Sequence, residues 1–187
     1  MEYADCVIPA AGPSTRMGEW KALLPFRDKT IIETVVETAL VACPRVVLVV
    51  GYRGSELAAL FRQSRVTVVE NPHWESGMFG SLQRGIQVVK TKRFFITLSD
   101  MPLLEPEVYG ALLGHSSRLI VPVFQGEWGH PVLLDRGLGD EALSNPPVTR
   151  RMKDLLKRHD VTEMPWNSDS VLYDVDTPED YRCLLTR

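Results

Sequence analysis

The sequence has few features that would indicate secretion, a membrane or nucleic acid. Its three cysteines, Cys6, Cys43 and Cys183, are far apart, so the pattern predicts neither a disulfide framework nor a zinc site. No apolar run approaches the roughly 18 residues that span a bilayer, and no basic segment followed by a long apolar stretch marks a signal peptide. The formal net charge of -3 argues against a nucleic-acid-binding surface. We therefore expect a cytoplasmic protein that binds neither membrane nor nucleic acid.

Two familiar phosphate-binding patterns are also missing. A G-x-G-x-x-G run, which is typical of dinucleotide-binding oxidoreductases, does not occur. The Walker pattern requires Gly-Lys-Ser/Thr in succession, whereas Glu19 and Trp20 separate Gly18 from Lys21. These absences argue against an NAD-binding oxidoreductase and against a P-loop enzyme.

A different phosphate loop is indicated by residues 7–25, which read VIPAAGPSTRMGEWKALLP. A short apolar strand leads into a loop in which Gly12 and Gly18 permit close approach of the backbone to an anion. Arg16 and Lys21 add a bidentate cation and a point charge, a combination that suits a polyphosphate. The same residues could form an ordinary turn, but two cations directly after the first strand favour anion binding.

Apolar strand segments alternate with helical patterns along the chain. The predicted strands are 6–8, 45–50, 65–69, 93–98, 119–124, 161–164 and 171–175, and the predicted helices are 30–42, 55–63, 76–89, 105–113, 135–143, 149–158 and 178–184. A hairpin is predicted over 123–134. Apolar strands separated by helices predict a mostly parallel sheet that is covered on both faces. We therefore expect a single domain with a three-layer α/β/α, doubly wound architecture.

Polar residues follow several of the predicted strands. Asp100 follows the fourth strand, residues 71–81 follow the third, and Asp174 and Asp176 lie in a late segment. Ligands of open parallel sheets bind beyond the carboxyl ends of the strands, so these residues should meet the glycine loop. Cations and carboxylates around one crevice favour a polyphosphate with a bound Mg²⁺ ion. Asp100 could instead cap a turn, and Asp176 could simply begin the last helix.

The motifs occur in the order found in a known family. The chain resembles the molybdenum cofactor cytidylyltransferases of the MobA-like nucleotidyltransferase family, which share a nucleotide-diphospho-sugar transferase-like Rossmann-type fold. The resemblance rests on the patterns A-A-G-x-S-x-R-M-G-x-x-K-x-L-L-P, N-P-x-W-x-x-G-M-x-x-S-L-x-x-G, L-x-D-x-P, G-H-P and D-x-D-T-P-E-D, which match residues 10–25, 71–85, 98–102, 129–131 and 174–180. The G-H-P element favours the cofactor-directed branch.

The resemblance implies transfer of CMP from CTP to the phosphate of a molybdopterin-type acceptor, with release of pyrophosphate. The implied catalytic residues are Arg16, Lys21, Asp100 and Asp176, of which the two aspartates would hold Mg²⁺. The implied nucleotide- and cofactor-binding residues are Ala10, Ala11, Gly12, Gly18, Asn71, Gly77, Gly80, Ser81 and His130. Residues 1–104 would form the nucleotide-binding half and residues 105–187 the acceptor-binding half, and a molybdoenzyme could receive the product.

Several alternatives stay open at the level of sequence. The nucleotide could be GTP rather than CTP, and the acceptor could be a sugar, polyol or choline phosphate. The protein could also be a non-catalytic chaperone for a molybdenum cofactor, although a pure binding protein has no need of Lys21, Asp100 and Asp176 together. Whether Asp174 also binds the metal is not decided by the pattern.

Overall fold

The first strand, Ala4–Ala10 (β1), is buried along its whole length and lies in the interior of the sheet. The computed structural model describes residues 3–13, 20–62, 64–144 and 152–187. Within them, no helix is long and apolar enough to cross a membrane.

The remaining elements alternate along the chain largely as the sequence predicts. The strands are β2 (Pro25–Phe26), β3 (Lys29–Thr30), β4 (Val46–Val50), β5 (Val66–Glu70), β6 (Arg93–Ile96), β7 (Leu119–Phe124), β8 (Glu127–Trp128), β9 (Val132–Asp135) and β10 (Thr162–Pro165). The helices are α1 (Ile31–Ala42), α2 (Gly54–Leu60), α3 (Met78–Ile86), α4 (Pro106–Leu113), α5 (Arg136–Leu143), α6 (Met152–Leu156) and α7 (Pro178–Leu184). Short 3₁₀ turns lie at Lys21–Leu23, Trp74–Ser76 and Asp169–Val171.

Eight strands form one sheet in the order β10-β7-β9-β6-β1-β4-β5, with β8 paired to β7. β1 is parallel to β4 and to β6, β4 is parallel to β5, and β10 is parallel to β7. β9 is antiparallel to both of its neighbours, β6 and β7. The predicted hairpin is confirmed, since β7 turns into β8 at Gln125 and Gly126, whose φ angles of 51° and 84° suit a two-residue hairpin turn.

The sheet is covered on both faces, as the predicted three-layer architecture requires. Alternate strand residues point to opposite sides. Ile8 and Leu48 pack in one apolar cluster with α1, α2, α4 and α7, whereas Val7 and Val49 pack in a second cluster with α3, α5 and α6. The single-domain α/β/α prediction is therefore confirmed.

Several predicted elements have different bounds in the structure, among them the helix predicted over 76–89, which is α3 at Met78–Ile86, and one predicted strand is absent. Residues 171–175 were expected to form a strand, and this expectation is wrong. The backbone N–H groups of Leu172 and Tyr173 donate to the carbonyl oxygen of Asp169, and that of Val175 donates to Asp100, so the segment joins no ladder. Residues 149–151 of the predicted helix 149–158 lie outside the described part of the chain, and the described part of that helix, α6, is Met152–Leu156 and so ends two residues earlier than predicted.

Candidate active site

A cavity of about 500 Å³ lies at the carboxyl ends of β1 and β6. Four chain segments and one late aspartate form its wall, namely Pro9 to Pro13, Trp20 to Ala22, residues from Trp74 to Ser81, Ser99 with Asp100, and Asp176. This is the edge of the sheet where ligands of doubly wound folds bind. The cavity brings together Ala10, Ala11, Gly12, Lys21, Gly77, Ser81, Asp100 and Asp176 of the predicted site.

The side chain of Lys21 joins the two predicted metal ligands. Its Nζ donates to Oδ2 of Asp100 and, at 3.0 Å, to Oδ1 of Asp176. Asp100 and Asp176 are therefore close enough for one cation to contact both. The three side chains are mostly withdrawn from solvent, with 16%, 12% and 31% of the Lys21, Asp100 and Asp176 side chains exposed.

Backbone hydrogen bonds hold the two aspartates next to each other. The N–H of Val175 donates to the carbonyl oxygen of Asp100 at 2.9 Å, which ties the two segments together. The Asp176 N–H donates to Oδ2 of Asp180 at 3.1 Å. Asp180 and Thr177 form the capping box that begins α7. The start of α7 therefore positions Asp176 at the cavity.

The charges in the cavity keep Lys21 protonated. Burial on its own lowers the pKa of Lys21, but the charges and hydrogen bonds of Asp100 and Asp176 outweigh burial, so the pKa is raised above its ordinary value. Burial and the negative charges of Asp100 and Asp176 raise the pKa of the neighbouring Asp174 carboxyl. Among the described residues, the site thus places the protonated Lys21 beside the carboxyl groups of Asp100 and Asp176.

The donor set around Asp100 fits a small divalent cation. The Oδ1 atom of Asp100 is buried and has no hydrogen-bond partner among the described residues. Across the same residues, no group of three or more His, Cys, Asp or Glu side chains is arranged around a single ion. Mg²⁺ commonly uses one or two protein carboxylates and takes its other ligands from water and substrate phosphates. Two aspartates in the wall of one cavity match that preference.

The glycine loop enters the cavity directly after β1. Gly12 lies in the cavity wall, and a Cβ atom built on it would have no neighbour within 4 Å among the described residues. Its carbonyl oxygen accepts a hydrogen bond from Nε1 of Trp20 at 3.2 Å. Arg16 and Gly18, both predicted to bind phosphate, lie outside the described residues, and their roles stay predictions.

The segment before α3 forms the opposite wall. Gly77, with a φ of +99° that favours glycine, is the N-cap of α3. The buried Ser81 hydroxyl accepts a hydrogen bond from Nδ2 of Asn71 at 3.0 Å. Asn71 and Gly80, predicted to bind the nucleotide, line a neighbouring cavity of about 210 Å³ instead. Asn71 thus supports Ser81 from behind the main cavity.

The predicted cofactor residue His130 lines neither of these two cavities. Its backbone N–H donates to Val171 O at 2.8 Å, and burial lowers the pKa of its imidazole to about 4. A Cβ atom on the preceding Gly129 would lie 2.4 Å from the same carbonyl oxygen, so only glycine fits there. Binding of an acceptor by His130 stays a prediction.

Sequence reasoning missed part of the cavity wall. Trp20, Trp74, Met78 and Ser99 also line the cavity. Residues 51–54, which follow β4, lie behind two of these residues, since Tyr52 packs edge-on against Trp20 and Trp74. The rule on strand ends could have identified this loop, because β4 is a parallel strand beside β1.

The family is decided by a match over most of the chain. Residues 6–163 match the MobA-like NTP transferase domain. The chain belongs to this family. A molybdenum cofactor cytidylyltransferase of Escherichia coli (strain K12) is 35% identical over 183 residues, which cover 97% of this chain and 95% of that protein. This MobA-like chain is thus a nucleotidyltransferase by family, as the sequence predicted.

Two further relatives extend the comparison. Nicotine blue oxidoreductase of Paenarthrobacter nicotinovorans is 32% identical over 199 residues and is covered to 95%, with 96% of this chain aligned. The crystal structure of Rv0371c from Mycobacterium tuberculosis H37Rv superposes with a TM-score of 0.84 at 27% identity and covers 99% of both chains. Rv0371c has also been solved in complex with manganese, at a TM-score of 0.81 over 98% of each chain. The solved structures similar to this chain thus include one in complex with manganese.

Proposed function

We propose that this protein transfers CMP from CTP to the phosphate of a molybdopterin-type acceptor and releases pyrophosphate. The observation that carries the proposal is the contact of one lysine, Lys21, with both Asp100 and Asp176 inside the cavity at the strand ends. A nucleoside triphosphate with a divalent ion needs this combination of one cation and two carboxylates. The choice of CTP and of the acceptor follows the E. coli relative, which is 35% identical.

In the proposed reaction, a phosphate oxygen of the acceptor attacks the α-phosphorus of the nucleotide. The new bond forms as the bond from the α-phosphorus to the bridging oxygen of the β-phosphate breaks, and pyrophosphate leaves. The acceptor phosphate is already ionised near neutral pH, so the protein need not supply a general base. Lys21 and Arg16 would neutralise the phosphate oxygens, and the rate acceleration comes from positioning and charge stabilisation.

Asp100 and Asp176 would hold the divalent ion, which we propose to be Mg²⁺. When bound, the ion supplies neutralisation of the charge on the phosphate oxygens and the leaving pyrophosphate. The buried Oδ1 atom of Asp100, which has no hydrogen-bond partner in the described part of the chain, supports this assignment. The manganese complex of Rv0371c supports a divalent ion in general.

The two halves of the chain would bind different substrates. We propose that residues 1–104 bind the nucleotide and that residues 105–187 bind the acceptor, in part through His130. Asp176 is an exception to this division, because it belongs to the second half and lies in the nucleotide cavity. Delivery of the product to a molybdoenzyme and a cytoplasmic location stay predictions.

A nucleotide panel tests the proposed reaction. CTP, GTP, ATP and UTP are each incubated with Mg²⁺, with and without molybdopterin, and pyrophosphate is measured. We expect release with CTP and only in the presence of the acceptor. If GTP were the one nucleotide that gave release, the protein would be a guanylyltransferase. If a sugar phosphate gave release in place of molybdopterin, the acceptor would be a sugar phosphate. Binding of CTP without release under any condition would favour the chaperone alternative.

Substitution of the aspartates tests the metal site. Asp100→Asn and Asp176→Asn should each lower pyrophosphate release by at least about 100-fold, because the ion loses a charged ligand. Asp140→Asn is the matched control, since Asp140 is paired with Arg136 outside the cavity. Turnover at the wild-type rate in either cavity variant would contradict the metal assignment.

An oxidoreductase is the second candidate function, because nicotine blue oxidoreductase is 32% identical to this chain. The absence of a G-x-G-x-x-G run argues against an NAD-binding site of the usual kind. The two candidates are separated by adding NADH or NADPH to the same panel. Cofactor oxidation without pyrophosphate release would favour the oxidoreductase.

A further inference from the structure

Three aromatic side chains stand in a row behind and along the cavity. The Tyr52 ring lies between the other two, with centroid distances of 5.8 Å to Trp20 and 5.7 Å to Trp74 and interplanar angles of 86° and 68°. Edge-to-face contacts of this kind stabilise an aromatic pair beyond the area that they bury. Trp20 and Trp74 line the cavity, whereas Tyr52 is not among its lining residues. We call Trp20, Tyr52 and Trp74 the aromatic row.

One end of the aromatic row holds the glycine loop. The Trp20 indole N–H donates to the carbonyl oxygen of Gly12, eight residues earlier, and the Tyr52 backbone N–H donates to that of Ala11 at 3.0 Å. Trp20 is 7% exposed, so water competes little for this hydrogen bond. The guanidinium carbon of Arg53 lies 5.0 Å from the centroid of the Trp20 ring. Since Lys21 is the next residue in the chain after Trp20, this hydrogen bond holds Lys21 at a set distance from Gly12.

The other end of the row holds the wall before α3. A Cβ atom on Gly51 would lie 2.6 Å from Cβ of Trp74, so the backbone before Tyr52 touches Trp74 directly. Trp74 begins the short turn that leads to Gly77 and α3. The loop after β4 is thus packed against both walls of the cavity.

From these contacts we propose that Trp20 is a positioning residue that sets the triphosphate end of the nucleotide pocket, and that Tyr52 sets the distance between its two walls. The inference rests on the proposed function. Trp20 acts through Gly12 and Lys21, which are its hydrogen-bonded partner and its chain neighbour. Loss of the indole N–H should therefore weaken binding of a triphosphate much more than binding of a monophosphate, which does not reach the β- and γ-phosphate positions.

Binding without turnover tests the proposal. Titration calorimetry with CTP and Mg²⁺ in the absence of acceptor gives the triphosphate affinity, and titration with CMP gives the monophosphate affinity. Trp20→Phe keeps an aromatic ring and removes the donor, so we expect the Kd for CTP to rise about five- to tenfold and the Kd for CMP to change less than about twofold. Trp166→Phe, the same change outside the cavity, should leave both values at the wild-type level.

The Tyr52 variants provide an independent arm. Tyr52→Leu removes the ring between the two walls and should weaken both CTP and CMP, whereas Tyr52→Phe keeps the ring and should bind both normally. If Trp20→Phe fails to fold, the Tyr52 variants test the proposal in its place. Normal CTP binding by Trp20→Phe or by Tyr52→Leu would overturn the inference, as would equal losses of CTP and CMP in Trp20→Phe. Failure of the wild-type protein to bind any triphosphate would instead overturn the proposed function, and the inference with it.

Discussion

At the scale of single residues, Lys21 has the most unusual surroundings. Its ammonium lies between Asp100 and Asp176, where the proposed function requires a divalent ion. Because Lys21 donates to Oδ2 of Asp100 and Oδ1 of Asp176, an ion held by the same two carboxylates would lie close to the positive charge of the ammonium. Under the proposed function, Lys21 should therefore compete electrostatically with the metal in the nucleotide-free protein, and a bound triphosphate would give the ammonium another anion to contact.

This competition gives a prediction of unusual sign. Lys21→Met should bind Mn²⁺ about tenfold more tightly than wild type in the absence of nucleotide, because the two carboxylates lose their cation. The same variant should release pyrophosphate at least about 100-fold more slowly, since the positive charge on the phosphates is gone. Electron paramagnetic resonance of free Mn²⁺ measures the affinity.

Lys29→Met is the matched control for this experiment. Lys29 pairs with Glu37 on the surface, so its loss should change neither metal affinity nor turnover. Weaker or unchanged Mn²⁺ binding in Lys21→Met would show that the ammonium does not compete with the ion.

At the scale of elements, the starts of two helices differ in whether they also position a residue of the cavity. Capping boxes begin both α1, through Thr30 and Glu33, and α7, through Thr177 and Asp180. Of these two boxes, only the one at α7 also accepts a hydrogen bond from the backbone N–H of a cavity residue, since Asp180 Oδ2 accepts from Asp176. The two boxes are otherwise alike, which makes them a matched pair.

Asp180→Ala and Glu33→Ala should each lower the free energy of unfolding by about 1 kcal/mol, because each removes a cap. Only Asp180→Ala should also raise the Mg²⁺ concentration needed for half-maximal pyrophosphate release. Urea unfolding and a Mg²⁺ titration of activity measure the two effects. An equal Mg²⁺ requirement in both variants would limit Asp180 to a structural role.

The contact of α3 with the sheet depends on Gly85. A Cβ atom on Gly85 would lie 2.5 Å from Cγ1 of Val7 and 2.9 Å from Cγ2 of Val49. Gly85→Ala should therefore destabilise the protein by about 1–3 kcal/mol through overpacking.

Gly110→Ala in α4 provides the comparison for Gly85→Ala. A Cβ atom there meets nothing within 4 Å among the described residues, so this change should be neutral or stabilise by up to about 1 kcal/mol. Urea unfolding of the two variants measures the difference, and similar stabilities would contradict the packing argument.

At the scale of the whole molecule, the pH dependence of stability should reflect His130. Burial lowers the pKa of its imidazole from 6.5 to about 4, so between these values the unfolded chain binds a proton that the folded protein does not. Stability from this group is complete above about pH 6.5 and is lost as the pH falls towards 4.

The free energy of unfolding should therefore fall less for His130→Asn than for wild type when the pH is lowered from 7 to 4.5. The difference between the two decreases should be about 2 kcal/mol. Urea unfolding at the two pH values measures this difference. His115→Asn, on the exposed surface, should behave like wild type. If His130→Asn lost as much stability as wild type over this pH range, the His130 imidazole would not be the group that titrates.

Most elements of the fold could be predicted because their signals are local. The Thr30–Glu33 capping box, the apolar strand Val46–Val50 and the turn at Gln125 each depend on a few neighbouring residues. The segment 171–175 could not be predicted correctly, because its alternating residues resemble a strand. Its hydrogen bonds go to Asp169 and Asp100 instead of a sheet edge.

The sequence by itself determined most of the order of strands and helices, the family, and which charged residues follow the strands. Those properties depend on short patterns and on the rule that parallel strands present their carboxyl ends on one side. The tertiary structure alone decided that Lys21 contacts Asp100 and Asp176, which are 79 and 155 positions away, and that Tyr52 packs between Trp20 and Trp74. Such contacts depend on how the whole sheet assembles, so no local pattern contains them.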